Sequence, residues 1–157
     1  MQSINSTISN LEKNPDGGKT VLLKDMASLY KQVPEKENQN KPIYKVFVKN
    51  FYPINIAETL IYPGTIGKEF HMTKGHVHKS GKEEFYILLE GKGSLLLQKN
   101  NKPRTIKLKK GELTLIHKGE AHRLVNIGKT PLKAMSIYHE DSKPSYEIKF
   151  KKRIFRK

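Results

Sequence analysis

The sequence contains no cysteine, and its 15 acidic side chains are outnumbered by 30 lysines and arginines. Without thiols the chain can form no disulfide, thiolate metal site or cysteine nucleophile, so any metal must be held by nitrogen and oxygen. No apolar run approaches the roughly 18 residues of a membrane span, and the start, MQSINSTISNLEKN, lacks the basic-then-apolar order of a signal peptide. We therefore expect a cytoplasmic protein with no membrane partner.

The formal charge of +15 and the pI of about 9.9 raise the question of nucleic-acid binding. The lysines, however, are scattered along the whole chain, and their one cluster, KFKKRIFRK, is equally typical of a solvated tail. We do not expect a nucleic-acid partner, despite the basic pI. A basic field would also concentrate small phosphorylated metabolites at a pocket.

The length of 157 residues indicates one ordinary domain. Residues 1–42 are polar, are broken by NPDGG and PEKENQNKP, and contain one short helix-like run, LKDMASLYKQ. We interpret them as an N-terminal extension with a small helix, which packs on the following domain or swaps with a neighbouring copy. Residues 43–147 form the domain itself, and residues 148–157 form a basic C-terminal tail.

The central domain consists of short apolar runs that predict β-strands. From Pro42 onward, runs rich in Ile, Leu, Val and Tyr recur about every ten residues, separated by turns such as GKG and KNNKP. This spacing is typical of an antiparallel sandwich or barrel. No helical period follows the N-terminal run, so we predict an all-β fold.

The stretch TKGHVHKSGKEEFYILLEG, residues 73–91, gathers histidines and carboxylates in one place. Residues two apart in a strand project from the same face, so His76 and His78 can point to one site. Glu83 and Glu84 fall on opposite faces of the strand that follows. Periodicity alone does not choose between these two glutamates.

The same stretch resembles the first motif of the cupin superfamily, in which His-x-His is followed by a glutamate and, after six further residues, a glycine. Counting back from Gly91 selects Glu84, whereas the usual spacing after His78 would select Glu83. We follow the glycine, because the GKG turn fixes the end of the strand. A second cupin motif is matched by GELTLIHKGEAHRLVN, at Gly111, Gly119, His122 and Asn126. The resemblance implies a cupin double-stranded β-helix, a jelly-roll barrel.

The cupin resemblance also implies a ligand set for one divalent metal ion, namely His76, His78, Glu84 and His122. Three imidazoles and one carboxylate suit Fe, Mn, Ni or Zn, and they leave two positions of an octahedron open for water or substrate oxygens. His71 and His139 match no motif, and we assign them no role.

The blocks TLIYPGTIGKEFHMTKGHVH, EFY, AHRLVNIG and SIYHED are similar to the cupin-type phosphoglucose isomerases of archaea and some bacteria, over about residues 20–147. That resemblance implies a metal-dependent glucose-6-phosphate isomerase of glycolysis and gluconeogenesis, a homodimer acting on a small sugar phosphate, with iron among its competent metals. Its substrate-binding residues fall on Tyr44, Thr59, Thr73 and Gly75. Its catalytic residues fall on Glu84, Tyr86 and Tyr138.

Two features depart from that family. The loop before Glu84 is one residue shorter than in those relatives. A His-x-Tyr pair near the end of the barrel is reduced to Tyr146, with Pro144 in place of the histidine. His139 could substitute for it.

The isomerisation moves a hydrogen between carbons 1 and 2 while charge develops on their oxygens, which a metal with two adjacent open positions can polarise. In a cis-enediol route Glu84 would carry the proton, with a tyrosine as the alternative, whereas a hydride shift needs no base. The sequence does not separate these routes. Two other hypotheses keep the fold: a non-haem metal oxygenase with the same ligands, and a non-catalytic sugar-phosphate-binding cupin. The TKGH segment, as part of a dianion site, favours the isomerase over the oxygenase.

Overall fold

The computed structural model describes residues 11–157, which form thirteen β-strands and two short 3-10 helices. The strands are β1 (Gly17–Leu22), β2 (Pro42–Phe51), β3 (Ile54–Ile61), β4 (Thr65–Ile66), β5 (Glu69–Phe70), β6 (Val77–His78), β7 (Glu84–Glu90), β8 (Gly93–Lys99), β9 (Lys102–Lys107), β10 (Leu113–Ile116), β11 (Ala121–Asn126), β12 (Leu132–His139) and β13 (Pro144–Ser145). The 3-10 helices are Leu23–Asp25 and Ala27–Leu29. None of the described residues belongs to a helix long and apolar enough to cross a bilayer.

Two antiparallel sheets form the barrel. Six strands hydrogen-bond in the order β1-β2-β3-β12-β7-β10, and three in the order β11-β8-β9. The remaining strands form two short pairs, β13-β6 and β4-β5. Because sequence neighbours such as β7 and β8 belong to different sheets, the chain crosses between the sheets as in a jelly roll. The predicted all-β cupin barrel is confirmed.

The core lies between the two sheets, and it becomes polar toward one end. Aliphatic side chains from both sheets are buried in it: Ile43, Ile61, Leu88, Leu95, Leu97, Leu124 and Leu132. Along β7 the buried face changes from Leu88 through Tyr86 to Glu84. Along β12 the change runs from Leu132 to Tyr138, which lies opposite Glu84. The polar end of this face carries the candidate site.

The residues before the barrel pack on it. Strand β1 pairs with β2 along its whole length, and the run LKDMASLYKQ contains the two 3-10 helices. Leu23, Met26 and Tyr30 from this run belong to the barrel core. The predicted small helix is thus present as two 3-10 turns. The domain boundaries at residues 42 and 147 stay predictions, and residues 1–10 of the extension lie outside the described residues.

The C-terminal residues, which we expected to be a basic tail, run along the barrel surface. Gln98 on β8 accepts a hydrogen bond from the backbone N–H of Lys151 at 2.8 Å and donates one to the carbonyl of Lys149 at 3.1 Å. Arg153 donates to the buried carboxylate of Glu69 at 2.9 Å. The lysines of this segment are exposed, but its backbone is held by the barrel.

Candidate metal centre and substrate pocket

Backbone hydrogen bonds hold His76 and His122 side by side. The N–H of His76 donates to the carbonyl of His122 at 3.0 Å, and the N–H of His122 donates to the carbonyl of His76 at 2.9 Å. Such a reciprocal pair places both side chains on the same face, and the two imidazole centroids lie 4.3 Å apart. His78 follows two residues later, and its Nε2 lies 3.0 Å from Nε2 of His76.

The carboxylate of Glu84, at the start of β7, is buried among these three imidazoles. Oε2 of Glu84 lies 2.8 Å from Nε2 of His122 and 3.3 Å from Nε2 of His78. Its distance to Nε2 of His76 is 3.9 Å. Glu83 is exposed. The structure therefore brings Glu84 to the three histidines and leaves Glu83 at the surface.

The separations within this group fit a single metal ion. Two ligand atoms about 2.1 Å from one ion and at right angles lie about 3 Å from each other, and the four donor atoms here lie within 4.8 Å of one another. Within residues 11–157, Nε2 of His122 and Oε2 of Glu84 are buried and have no hydrogen-bond partner. Because unpartnered buried polar atoms are costly, an ion held between these two atoms would stabilise the site.

Backbone carbonyls orient two of the imidazoles. Nδ1 of His78 lies 3.3 Å from the carbonyl of Lys82, and Nδ1 of His122 lies 3.3 Å from the carbonyl of Glu120. A carbonyl can only accept, so these contacts place the ring proton on Nδ1 and leave the Nε2 lone pair for a ligand. This support from outside the ligand group is typical of metal-binding histidines.

The electrostatics of the group favour a neutral His76, a neutral His78 and an ionised Glu84. Burial, assisted by the neighbouring His122, lowers the pKa of His76 to about 3, and burial also lowers the pKa of His78. Burial alone would raise the pKa of Glu84, but the surrounding imidazoles, His122 foremost, hold it below its ordinary value. Neutral imidazoles and an ionised carboxylate are the protonation states that a divalent metal requires.

A pocket of ≈ 260 Å³ opens beside the metal centre, a volume suited to a small molecule. It is lined by every site residue predicted from the sequence except His122: Tyr44, Thr59, Thr73, Gly75, His76, His78, Glu84, Tyr86 and Tyr138. The register of β12 on β7 sets Tyr138 opposite Glu84 and Ser136 opposite Tyr86. Burial and the charge of Glu84 raise the pKa of Tyr138 to about 12 and that of Tyr86 well above its ordinary value. Both phenols therefore keep their protons at neutral pH and can donate hydrogen bonds.

A second part of the wall is built around Gly75, whose φ of +74° favours glycine. A Cβ there would lie 2.7 Å from the ring of Phe150, in the C-terminal segment. Arg123 donates to the carbonyl of Lys74 through Nη2 at 2.7 Å and through Nε at 3.2 Å. Because the Lys74–Gly75 peptide is trans, the N–H of Gly75 points away from that guanidinium.

Two threonines and a tyrosine continue this wall. Oγ1 of Thr73 accepts a hydrogen bond from the N–H of Leu124 at 3.1 Å, which leaves the hydroxyl proton free to donate. Thr59 is buried on β3. Burial raises the pKa of Tyr44 to about 12, so this phenol is also a donor at neutral pH.

Sequence reasoning gave no role to four polar side chains that line the pocket: Lys19, Ser136, Ser142 and Tyr146. Tyr146 alone had a signal, as the remnant of a family motif. A single lysine or serine in a polar run carries none, and only the tertiary structure brings these three to the pocket. His139, the suggested substitute for the missing histidine, is not among the lining residues; its Nδ1 accepts a hydrogen bond from the N–H of Asp141 at 3.1 Å.

Comparisons with known sequences identify one family. The family model described as "Glucose-6-phosphate isomerase (GPI)" matches residues 26–156. A glucose-6-phosphate isomerase of Pyrococcus furiosus is 37% identical over 123 residues, which cover 74% of this chain and 64% of that protein. One of Pyrococcus abyssi is 41% identical over 95 residues, covering 59% of this chain and 50% of that protein. The chain thus spans between half and two thirds of the length of these curated relatives.

Comparisons with solved structures agree with the fold. Oxalate oxidase in complex with the substrate analogue glycolate superposes with a TM-score of 0.57 at 15% identity, covering 74% of this chain and 60% of that chain. Oxalate decarboxylase from Bacillus subtilis at pH 4.6 superposes with a TM-score of 0.52 at 24% identity, covering 62% of this chain and 26% of that chain. Identities this low support the barrel alone.

The family match begins before the barrel and continues through the C-terminal segment. It therefore includes all four candidate ligands, the pocket wall around Gly75 and the residues that support both. The resemblance seen in the sequence is confirmed: the chain belongs to the glucose-6-phosphate isomerase (GPI) family, in its cupin-type form.

Proposed function

We propose that this chain is a metal-dependent isomerase that interconverts glucose 6-phosphate and fructose 6-phosphate. The observation that carries the proposal is the convergence of three histidines and Glu84 beside a pocket of small-molecule size, in a chain of this family. A bound divalent metal would supply a Lewis acid for the oxygens on carbons 1 and 2 of the sugar. We assign it to His76, His78, Glu84 and His122.

The wall around Gly75 is the proposed site of the substrate phosphate. The N–H of Gly75 and the hydroxyls of Thr59 and Thr73 are donors that a phosphate dianion can accept from, and glycine allows the backbone to approach it closely. Arg123 supports this arrangement by fixing the preceding peptide. Tyr44, which keeps its phenolic proton, adds a further donor on the same wall.

Glu84 is the proposed base of the reaction. It is the only carboxylate among the pocket-lining residues of the described chain. Its Oε2 faces the imidazoles, so Oε1 is the oxygen that we assign to carrying a proton between carbons 1 and 2. Tyr138 and Tyr86 would donate hydrogen bonds to sugar oxygens as charge develops. Proton transfer by Glu84 would bring solvent deuterium into the product, whereas a direct hydride shift would retain the substrate's own hydrogen.

We further propose that the protein is a homodimer of the cytoplasm that serves glycolysis and gluconeogenesis. The open edges of the six-stranded sheet, β1 and β10, are surfaces that a second copy could cover, and light scattering would give the mass in solution. Phosphorylated sugars carry charges that oppose crossing a bilayer, which fits a cytoplasmic reaction. Iron, manganese, nickel and zinc all suit the ligand set.

The test is conversion of fructose 6-phosphate by the purified protein, with product formation and oxygen uptake recorded together. We expect glucose 6-phosphate to form without oxygen uptake. Oxygen uptake without glucose 6-phosphate would instead indicate the oxygenase. Binding of fructose 6-phosphate that survives chelation, without turnover, would indicate a binding protein.

A further inference from the structure

Lys19 lines the pocket but has no part in the isomerase site proposed for this chain. Lys19 on β1 is the only lysine or arginine among the pocket-lining residues of the described chain. Lys74, which precedes Gly75 in sequence, is not among them. A pocket that takes a phosphorylated sugar has to compensate a dianion, and among the described lining residues Lys19 alone carries a permanent positive charge.

The register of the sheet aims Lys19 at the proposed phosphate wall. Lys19 lies opposite Val46, and Val46 lies opposite Thr59. Residues directly opposite in antiparallel strands face the same side of the sheet, so Lys19, Val46 and Thr59 form one row on the pocket side. Adjacent strands are about 4.8 Å apart, which puts Lys19 two strands, about 10 Å, from Thr59. The four-carbon stem of the lysine covers part of that distance, so the ammonium group can lie closer to Thr59 than the backbone of Lys19 does.

The ammonium group of Lys19 contacts the ring of Tyr146. Nζ of Lys19 lies 5.2 Å from the ring centroid of Tyr146, within the range of a cation–π contact. The ring of Tyr146 in turn lies 5.6 Å from that of His76. Lys19 is otherwise exposed, so its ammonium stands at the pocket mouth with room for a ligand oxygen.

We propose that Lys19 binds the phosphate of the substrate and sets the preference of this pocket for phosphorylated over neutral sugars. The inference rests on the proposed isomerase function. It also gives strand β1, which precedes the barrel, a direct part in substrate selection. Thr59 and the N–H of Gly75 supply hydrogen bonds, and Lys19 supplies the charge.

The test compares steady-state kinetics with fructose 6-phosphate for the wild type, Lys19→Gln and Lys24→Gln, all loaded with the same metal. Lys24 is exposed, follows β1 and does not line the pocket, so its substitution removes the same charge elsewhere. We expect Lys19→Gln to raise KM about tenfold, as for the loss of a charged hydrogen bond. The kcat should stay within about twofold, because a contact made equally in ground and transition states changes KM alone. Lys24→Gln should leave both constants unchanged.

Two further readouts isolate the phosphate. Inorganic phosphate, used as a competitive inhibitor, should bind Lys19→Gln about tenfold more weakly, and Lys19→Arg should keep KM within about threefold of the wild type. If the wild type turns over and Lys19→Gln keeps its KM and its affinity for inorganic phosphate, the inference is overturned and the isomerase function stands. If the wild type does not turn over fructose 6-phosphate with iron, manganese, nickel or zinc, the isomerase function is overturned, and the inference with it.

Discussion

Glu83 and Glu84 are adjacent in the chain and have opposite environments. Glu84 is 3% exposed and lies among three imidazoles, whereas Glu83 is at the surface. A shift of one residue in a strand moves a side chain to the other face of the sheet. The chemistry of the site therefore depends on the register of β7, which is fixed by its pairing with β12 on one side and β10 on the other.

The two glutamates provide a matched pair of variants. Glu84→Gln should weaken binding of the divalent metal by roughly a hundredfold and lower turnover at least as much, because it removes an anionic ligand. Glu83→Gln removes the same charge one residue away and should change neither. Calorimetric titration with manganese and the isomerase assay measure the two effects. If Glu83→Gln lost metal affinity and turnover while Glu84→Gln kept both, Glu83 would be the ligand and not Glu84.

The sequence could predict that these four side chains come together because its markers are local. Gly91 has a φ of +81°, and a Cβ there would clash with the carbonyl of Pro131. Glycine is therefore required at the end of β7, and counting back from it reaches Glu84. The loop before Glu84 also contains a glycine of positive φ, Gly81, but loops vary in length more than the strands they connect, which is why spacing counted forward from His78 is the poorer guide.

At the scale of elements, local pattern accounts for the eight longer strands from β2 onward and fails for β1 and for the four two-residue strands. Those eight strands are continuous apolar or alternating runs between turn residues, which can be recognised without their partners. Strand β1, GGKTVL, is short and half polar. It becomes a strand because β2 offers it a free edge, and sequence patterns do not show pairing between distant segments. Lys19 could not be placed in the pocket for the same reason.

A buried acid on β3 makes the stability of this sheet depend on pH. Glu58 is fully buried, and within residues 11–157 both of its carboxylate oxygens have no hydrogen-bond partner. Burial, with the neighbouring Glu12, raises its pKa to about 7. The folded state therefore holds this proton more tightly than the unfolded chain does. The stabilisation is present below the ordinary glutamate pKa and is lost as pH rises through about 7.

Glu58→Gln should remove this pH dependence. We expect the variant to gain about 1–3 kcal/mol relative to the wild type between pH 5 and pH 8. Burial lowers the pKa of His71 to about 4, so this residue makes the free energy of unfolding rise with pH below pH 6.5, opposite to the effect of Glu58. The quantity to measure is therefore the difference in free energy of unfolding between the wild type and Glu58→Gln at each pH. Urea unfolding at several pH values gives it, with exposed Glu35→Gln as the control. If the free energies of unfolding of the wild type and Glu58→Gln changed with pH in parallel, the account would be contradicted.

At the scale of the whole molecule, the C-terminal segment is bonded to residues that precede the barrel. Arg153 in the C-terminal segment bonds both the carboxylate of Glu69 and the carbonyl of Leu29, which lies before the barrel. The ring of Phe150 packs beside Gly75 and under Arg123. Composition alone predicts a solvated tail here, because it records many lysines and does not show that the backbone has partners. The family match to residue 156 is consistent with these contacts.

Arg153→Met should measure how much the C-terminal segment contributes to stability. Glu69 is nearly fully buried, and Arg153 is about a third exposed, so we expect a loss of about 2 kcal/mol, less than for a fully buried pair. That loss corresponds to a decrease in Tm of roughly 4–8 °C. Lys151→Met, an exposed neighbour, should change Tm little. Scanning calorimetry compares them, and equal melting temperatures would show that the segment is not held as described.

The central claim is that the group formed by His76, His78, Glu84 and His122 binds the metal on which isomerisation depends. The most direct measurement is turnover of fructose 6-phosphate before chelation, after chelation, and after separate addition of iron, manganese, nickel and zinc. We predict that chelation abolishes turnover while the barrel stays folded. At least one of these ions should restore turnover in the wild-type protein, and none should restore it in the His122→Ala variant. Full turnover by the chelated, metal-free protein would contradict the account.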